Sequence, residues 1–234
     1  MCSVSYIPLE QGFALSHNRD ELPQRRSSAS LSRLQSSNYF SLYPTDLKAG
    51  GTWMGTSNSK WSLCLLNGGS VPYLRQLPYA RSRGSVIPDF LEHPNLDDFQ
   101  KKSFSELEPF TLILAKPGTL WQLQHDPNKN IWTELDSEDY HFWSSTKLYH
   151  PNIRKARERR FRRWLEEQNH LNAPAIRSFH LNPQASSNEG GLLLSERFPL
   201  QTVSFCQIEH NGNEIRFEYE QLFYKTKDQE IIKL

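Results

Sequence analysis

The sequence predicts an α+β fold in which antiparallel strands pack against separate helices. Short apolar runs recur between Gly, Pro and Asn turns, as expected of strands. Hairpin turns join several of these runs, so neighbouring strands are expected to be antiparallel. The longest amphipathic segment, 151–168, has the period of a helix instead. The 234 residues suffice for one large domain or two small ones.

The chain begins with a predicted hairpin. Residues 2–7 alternate small or polar with apolar side chains, and 13–16 have the pattern of a second short strand. Between them, 8–12 supplies turn chemistry, with a proline to end the first strand and a glycine free to take positive φ. We therefore expect the hairpin to be centred between Glu10 and Gln11.

This hairpin predicts a cluster of polar residues around Cys2. It pairs Cys2 with Arg19, and directly paired residues point to the same face with Cβ atoms ~5 Å apart. A slip of one residue would bring Asn18 or Asp20 opposite Cys2 instead. In either register the segment 18–21 lies beside the thiol.

Cys2 is a candidate nucleophile. Met1 is normally removed when the next residue is small, and Cys2 would then carry both a thiol and a free α-amino group, as in N-terminal nucleophiles. These groups ordinarily titrate near ~8.5 and ~7.8. Arg19 would favour the thiolate, and Asp20 could hold the amino group by a charge-assisted hydrogen bond. Asn18 could donate to a developing oxyanion. The alternative is that these three polar residues form an ordinary turn.

A serine-rich segment, 22–37, is predicted to form a long loop that covers the site. Arg25 and Arg26 could bind an acidic group there. Solvated loop arginines are the alternative, which is favoured more strongly for Arg26. A strand or turn is expected at 39–43.

Asn67 is a second candidate site residue. The block 49–56 suggests a Gly-Gly turn followed by a strand, and 60–69 contains a strongly apolar strand that ends at Asn67. Two glycines follow, so the side-chain amide could approach a ligand unobstructed. The alternative is a plain turn, because Asn-Gly is a common hairpin signal.

The rest of the chain alternates further strands with helices. Strands are expected at 109–115, 119–125, 131–135, 202–209 and 215–219, and a mobile polar loop at 182–191. Helices are expected at 86–91, from a cap at Asn95 or Asp97 through Phe99 and Phe104, at 151–168 and at 173–181.

The helix at 151–168 has an apolar stripe and a basic face. Its core-facing residues are expected to be Ile153, Ala156, Phe161, Trp164 and Leu165. The basic face carries seven cations, which are Arg154, Lys155, Arg157, Arg159, Arg160, Arg162 and Arg163. We favour a solvated face over an anionic polymer site, because the rest of the chain has no matching basic surface.

Composition excludes several classes of function. A net charge of +1 does not favour nucleic-acid binding. No apolar run reaches the ~18 residues of a membrane helix, and the start lacks a signal-peptide core. Three cysteines (Cys2, Cys64 and Cys206) are too few and too scattered for a disulfide framework or zinc site, and the histidines lack metal spacing. We expect a cytoplasmic protein with no metal, cofactor or integral membrane association; the oligomeric state is left open.

Several of these segments together resemble the NRDE family, also called the transport and Golgi organisation 2 family. The resemblance is carried by Cys2, the tetrad 18–21, Arg25 and the block 50–55, and it continues into the strand ending at Asn67. The later segments at 143–149 and 202–204 look like further blocks of the family. The resemblance spans most of the chain and implies a single domain of that type over 1–234.

The resemblance implies a four-layer αββα sandwich of antiparallel sheets, like that of N-terminal-nucleophile hydrolases. Penicillin V acylases and bile salt hydrolases would be the nearest mechanistic relatives. By this likeness Cys2 is the nucleophile, its α-amino group the base, and Asp20 the partner of that group. Arg19 or Asn18 would take a supporting polar role, and Asn67 an oxyanion-hole role.

The same resemblance leaves two functions open. Arg25, Trp53 and Met54 would contact a small-molecule substrate or ligand. One hypothesis is hydrolysis of a non-peptide carbon–nitrogen (amide) bond. The other is a binding or carrier protein for a hydrophobic, acyl or haem-like ligand, since Ser144-Ser145 stands where relatives carry Ser-Asn, so that a second oxyanion amide is missing.

Overall fold

Two antiparallel sheets form the centre of the computed structural model, which describes residues 2–71, 73–74, 78–183, 190–194 and 199–234. The six strands of the first sheet are β1 (Cys2–Leu9), β2 (Gly12–Glu21), β10 (His141–Ser144), β11 (Gln201–His210), β12 (Glu214–Gln221) and β13 (Thr226–Lys233). Their spatial order is β10-β1-β2-β11-β12-β13. The strand that begins with Cys2 therefore lies inside the sheet rather than at its edge.

The second sheet has its seven strands in the order of the chain. They are β3 (Ser32–Gln35), β4 (Phe40–Tyr43), β5 (Met54–Ser57), β6 (Ser62–Asn67), β7 (Phe110–Lys116), β8 (Thr119–Asp126) and β9 (Lys129–Leu135). The α-helices within the described residues are α1 (Val86–Glu92), α2 (Leu96–Gln100), α3 (Pro151–Glu166) and α4 (Ala173–His180).

Three apolar clusters divide the molecule into layers. The largest fills the space between the sheets and includes Cys2 and Leu15 from one sheet and Leu66 and Ile113 from the other. A second cluster joins the outer face of the second sheet to α1 and α2. A third joins the outer face of the first sheet to α3 and α4. The order helix, sheet, sheet, helix confirms the predicted α+β sandwich.

The N-terminal hairpin has the predicted register. Cys2 pairs with Arg19, and the two-residue turn is Glu10-Gln11. The proline expected to end the first strand does not do so, because Pro8 pairs with Phe13 inside the ladder. The second strand is longer than predicted and continues to Glu21, so the whole polar tetrad is strand rather than turn.

Several boundaries differ from the sequence prediction. The loop expected at 22–37 contains β3, and β10 and β13 were not predicted. Helix α2 is capped by the side chain of Asn95 and ends before Phe104. Met1 and part of the loop expected at 182–191, namely 184–189, lie outside the described residues. Among those that are described, no helix is long and apolar enough to cross a membrane.

Helix α3 corrects one prediction of direct consequence for the site. The sequence pattern predicts a solvated basic face that includes Arg157, yet this residue is fully buried, with 0% of its surface exposed. It lies four residues from both Ile153 and Phe161, so the helical period itself places it on the core-facing stripe. The exposed cations of the helix, such as Arg159 and Arg163, do lie on the outer face.

Candidate active site

A small pocket brings together five of the residues that the sequence singled out. Its wall includes Cys2, Arg19, Arg25, Trp53 and Asn67. The cavity volume is about 80 Å³. Pockets that bury a whole drug-sized ligand are typically ~300–1,000 Å³, so this cavity suits a reacting group rather than a complete substrate.

Cys2 is held from both sides by main-chain hydrogen bonds. Its strand pairs with β2 at Arg19, and its carbonyl oxygen accepts from the amide of Ser145 at 2.9 Å. Only 3% of the residue's surface is exposed. Burial raises the pKa of the Cys2 thiol; the Asp20 carboxylate adds to the rise, and the Arg19 guanidinium opposes it. In this state the thiol is protonated at neutral pH and needs a base to become a nucleophile.

Arg19 is fixed by an aspartate and a tryptophan. Its Nη2 lies 2.7 Å from Oδ2 of Asp46, and its guanidinium carbon lies 4.3 Å from the Trp53 ring centroid. Arg25 donates from Nε to the same Asp46 oxygen at 2.8 Å and lies 3.5 Å from Glu21. The two arginines and two carboxylates form one charged network on the pocket wall.

Asn67 has a side-chain amide without a hydrogen-bond partner among the residues that the structure describes. Its main-chain oxygen accepts from Ser145 Oγ at 2.7 Å and from the Lys147 amide at 3.4 Å. Asn67 lines the pocket, and no residue in the described part of the chain forms a hydrogen bond with its side-chain amide. The group is therefore free to donate to a ligand, which is what an oxyanion hole requires.

Two glycines in close contact form another part of the wall. A Cβ on Gly51 would lie 2.5 Å from the carbonyl carbon of Gly84, and the Thr52 amide donates to the Gly84 oxygen at 2.9 Å. Only glycine allows this approach of the turn before β5 to the segment that carries Arg83. Arg83 also lines the pocket and is tied to Glu108 at 3.4 Å.

Three predicted site residues do not line the pocket. Asn18 donates to the carbonyl oxygens of His180 and Leu192 at 2.9 and 3.2 Å, so its amide serves the layer of α3 and α4 rather than an oxyanion at Cys2. Met54 is fully buried in the core between the sheets and is not on the pocket wall. Asp20 also faces away from the pocket, because alternate residues of β2 point to opposite faces.

Asp20 is fully buried and held by two hydroxyl groups. Thr202 Oγ1 donates to its Oδ1 at 2.6 Å, and the Tyr149 hydroxyl donates to its Oδ2. Burial raises the pKa of the Asp20 carboxyl, while the Arg157 guanidinium and the hydrogen bonds from Thr202 and Tyr149 oppose that rise. Arg157, Thr202 and Tyr149 thus favour the charged form of the carboxylate.

Sequence reasoning missed Asp46, Tyr149 and Arg157. Asp46 accepts from the amides of Lys48 and Ala49 through Oδ1, an Asx turn just before the Gly-Gly pair. An aspartate at that spacing was a usable signal for a turn, although not for an ion pair with a distant arginine. Arg157 was detectable from the helical period, and we find no local signal for Tyr149. The described residues contain no cluster of His, Cys, Asp or Glu suited to a metal.

Comparisons with known proteins identify a family for this chain. A model of the transport and Golgi organisation 2 family matches residues 1–232. No curated protein matches the chain.

Solved structures of amidases have the same fold. An N-acylethanolamine-hydrolyzing acid amidase ortholog from Caenorhabditis elegans is 12% identical, with a TM-score of 0.59, over 88% of this chain and 92% of that one. Penicillin V acylase from Agrobacterium tumefaciens is 12% identical, with a TM-score of 0.56, over 100% and 86%. The C2A mutant of conjugated bile acid hydrolase from Clostridium perfringens is 7% identical, with a TM-score of 0.56, over 100% and 92%. At such low sequence identities, the structural similarity shows the N-terminal-nucleophile hydrolase fold alone.

Proposed function

The chain belongs to the transport and Golgi organisation 2 family, and we propose that this member is a cysteine amidohydrolase. Its reaction is cleavage of a carbon–nitrogen amide bond, other than a peptide bond, in a small molecule. The observation that carries the proposal is that Cys2, Arg19 and Asn67 line one small pocket, and that the Asn67 side-chain amide has no hydrogen-bond partner among the described residues. The names amidase, acylase and hydrolase of the similar structures support the same class of reaction.

The proposed mechanism begins with removal of Met1, which frees the α-amino group of Cys2. That amine takes the proton of the thiol, and Sγ forms a bond to the amide carbon of the substrate. The resulting oxyanion accepts a hydrogen bond from Asn67. The carbon–nitrogen bond then breaks, the proton passes from the α-ammonium group to the leaving amine, and a thioester remains. Water hydrolyses the thioester, which releases the acid and restores the thiol.

The charged network around Arg19 suits this chemistry. Arg19 lies opposite Cys2 and opposes the rise in the thiol pKa that burial causes. Asp46 and Trp53 prevent it from moving away. A fixed cation near the sulfur stabilises the thiolate as the proton leaves without requiring reorganisation during the reaction.

Mass spectrometry and thiol labelling test the proposal. The intact mass of the native protein is expected to lack Met1. All three cysteines are buried, but Cys2 lines the pocket, so a mild alkylator is expected to label it before Cys64 and Cys206. Amide hydrolysis across a panel of N-acyl amines should be lost in Cys2→Ala and fall in Asn67→Ala. Cys64→Ala, in the core between the sheets, is the matched thiol control. Fully retained Met1, or undiminished hydrolysis by Cys2→Ala, would contradict the mechanism.

A second candidate function is binding without turnover of a hydrophobic, acyl or haem-like ligand. The observation that favours it is the engaged hydroxyl of Ser145, at a position where the resemblance to the family implies an asparagine. This hydroxyl donates to the main chain of Asn67 and accepts from the Leu148 amide at 3.3 Å, so it is not available to a ligand. Native mass spectrometry that finds a co-purified ligand, together with no hydrolysis, would favour this function. Failure to bind any lipid, acyl thioester or haem across a panel would exclude it.

A further inference from the structure

A buried polar cluster lies behind the strand of Cys2, on the face opposite the pocket. It contains Arg157 from α3, Tyr149 just before that helix, and Asp20 from β2. All three residues are buried. The pocket does not include them, so their role must act through the strands that carry Cys2 and Arg19.

Arg157 is an unusual residue for such a position. Its Nη1 donates to the hydroxyl of Ser3 at 2.8 Å, while Nε and Nη2 have no partner among the described residues. Gly190 packs directly against the helix backbone at Ala156 and Arg157, and a Cβ on Gly190 would lie 2.6 Å from the Ala156 oxygen. A buried cation with unfilled donors opposes folding, so a plain core would be better served by an apolar side chain.

Tyr149 connects this cation to the carboxylate. The Arg157 guanidinium carbon lies 3.8 Å from the centroid of the Tyr149 ring, and the Tyr149 hydroxyl is hydrogen-bonded to Asp20. Burial and the Asp20 charge raise the pKa of Tyr149 well above its usual value, so the phenol keeps its proton and is the donor. A cation over the ring is held by the negative face of its π-system.

We propose that Arg157 and Tyr149 are positioning residues, which keep the Asp20 carboxylate charged and fixed in place behind the Cys2 strand. The inference rests on the proposed function and adds to it that Asp20, from the face of β2 opposite the pocket, holds the α-amino group of Cys2. A charged, immobile Asp20 would orient that amine towards its own thiol. A protonated Asp20 would lose this interaction, and the base would be poorly placed.

The groups around Asp20 are few enough for a clean test. Arg157 faces it from α3, Tyr149 from the segment before α3, and Thr202 from β11. The Asp20 charge also interacts with the Cys2 thiol and with the amino terminus. Of these groups, Arg157 supplies a positive charge from α3.

The test is a ¹³C NMR titration of the Asp20 carboxyl in the full-length protein labelled at aspartate, with the Asp20 signal assigned by its loss in Asp20→Asn. Arg157→Met removes the cation and retains the apolar stem. The pKa of Asp20 is expected to rise by about one unit or more, because an opposite charge has been removed. Arg157→Lys should restore most of the original value. Arg159→Met, on the exposed face of the same helix, is the matched control and should change nothing.

An Asp20 pKa that is the same in Arg157→Met as in the wild type would overturn the proposal. If Arg157→Met fails to fold, Tyr149→Phe decides, since it keeps the cation and deletes only the hydroxyl donor to Asp20. A raised Asp20 pKa in that variant supports the proposal, and an unchanged one overturns it.

Amide hydrolysis is measured separately. The acid limb of the kcat profile should move upward in pH with the Asp20 pKa in Arg157→Met and return in Arg157→Lys; an acid limb that stays in place overturns the link to the base. A wild-type protein that hydrolyses no amide would defeat the proposed function alone, and the NMR titration would still decide whether Arg157 controls Asp20.

Discussion

Arg19 and Asp46 form a buried ion pair, with 2.7 Å between Nη2 and Oδ2 and with side chains that are only 5% and 9% exposed. The same Oδ2 atom of Asp46 also accepts a hydrogen bond from Nε of Arg25 at 2.8 Å. One carboxylate from the turn before the Gly-Gly pair therefore balances two arginines of the pocket. This makes Asp46 a structural requirement for the cation next to Cys2.

Asp46→Ala should strongly destabilise the protein. Removing the carboxylate leaves Arg19 buried without its counter-charge, which typically costs about 3–5 kcal/mol in the free energy of unfolding. Urea denaturation measures the loss. Glu158→Ala, which breaks an exposed pair with Arg162 on α3, is the control and should cost no more than about 0.5 kcal/mol. Equal losses in the two variants would show that the buried pair contributes no more to the free energy of unfolding than the exposed pair does.

Gly51→Ala should make Cys2 more reactive. A methyl group there would lie 2.5 Å from the Gly84 backbone, so the segment that closes one side of the pocket must move. We expect alkylation of Cys2 under native conditions to become several-fold faster, measured by mass spectrometry of the labelled peptide. The neighbouring Gly50→Ala meets no atom within 4 Å and strains only a positive φ of 70°, so it should leave the labelling rate unchanged. A similar rate in both variants would contradict the assigned role of the glycine contact.

Acid should destabilise the fold through His180. Burial and the Arg157 charge lower the pKa of His180 to about 3, against ~6.5 in the unfolded chain. Between these values the unfolded chain binds the extra proton, so this contribution to stability is complete above about pH 6.5 and declines as the pH falls towards 3. The neutral ring donates from Nδ1 to Asn18 and accepts from Ser5 at Nε2, both at 2.8 Å.

This predicts a loss of about 2 kcal/mol from His180 between about pH 7.5 and pH 5, on top of similar losses from other buried histidines such as His210. The measurement is urea unfolding at both pH values. His180→Gln should show a smaller difference between the two than the wild type does. His93→Gln, which changes an exposed histidine, should keep the wild-type difference. An unaltered difference in His180→Gln would refute the assignment.

Ser145→Ala should destabilise the junction between Cys2 and Asn67. The variant loses the bond from Oγ to the Asn67 oxygen at 2.7 Å and leaves the Leu148 amide without its acceptor. We expect the unfolding free energy to fall by about 1–2 kcal/mol. The adjacent Ser144 hydroxyl has no partner among the described residues, so Ser144→Ala should change stability by less than about 0.5 kcal/mol. Calorimetry on both variants measures the loss in unfolding free energy. A larger loss in Ser144→Ala than in Ser145→Ala would contradict this account.

The hairpin register and most strands were predictable from the sequence, because alternation and turn residues are local signals. The pairing of Cys2 with Arg19 follows from a two-residue turn and needs no tertiary information. Strand alternation should also have excluded the idea that Asn18, Arg19 and Asp20 all serve the thiol. Consecutive residues of a strand face opposite sides, so only Arg19 can share the face of Cys2.

The remaining errors come from long-range contacts. Nothing near Asp46 in the chain indicates that Arg19, 27 residues away, is its partner. Arg157 was assigned to solvent by residue type, although its spacing from Ile153 and Phe161 placed it in the core. The short edge strand β10 has few alternating residues, and it exists because β1 supplies its ladder.

The pairing of Cys2 with Arg19 also bears on how this gene can change. Side chains on a strand alternate, so inserting one residue into β1 between Ser3 and the turn would turn Cys2 away from the pocket and bring Ser3 into its place. Inserting two residues there would preserve the facing but move Cys2 along the strand by ~6.6 Å, away from its position opposite Arg19. A longer loop can absorb residues added at Glu10-Gln11, so length variation should be tolerated at this turn and not within β1.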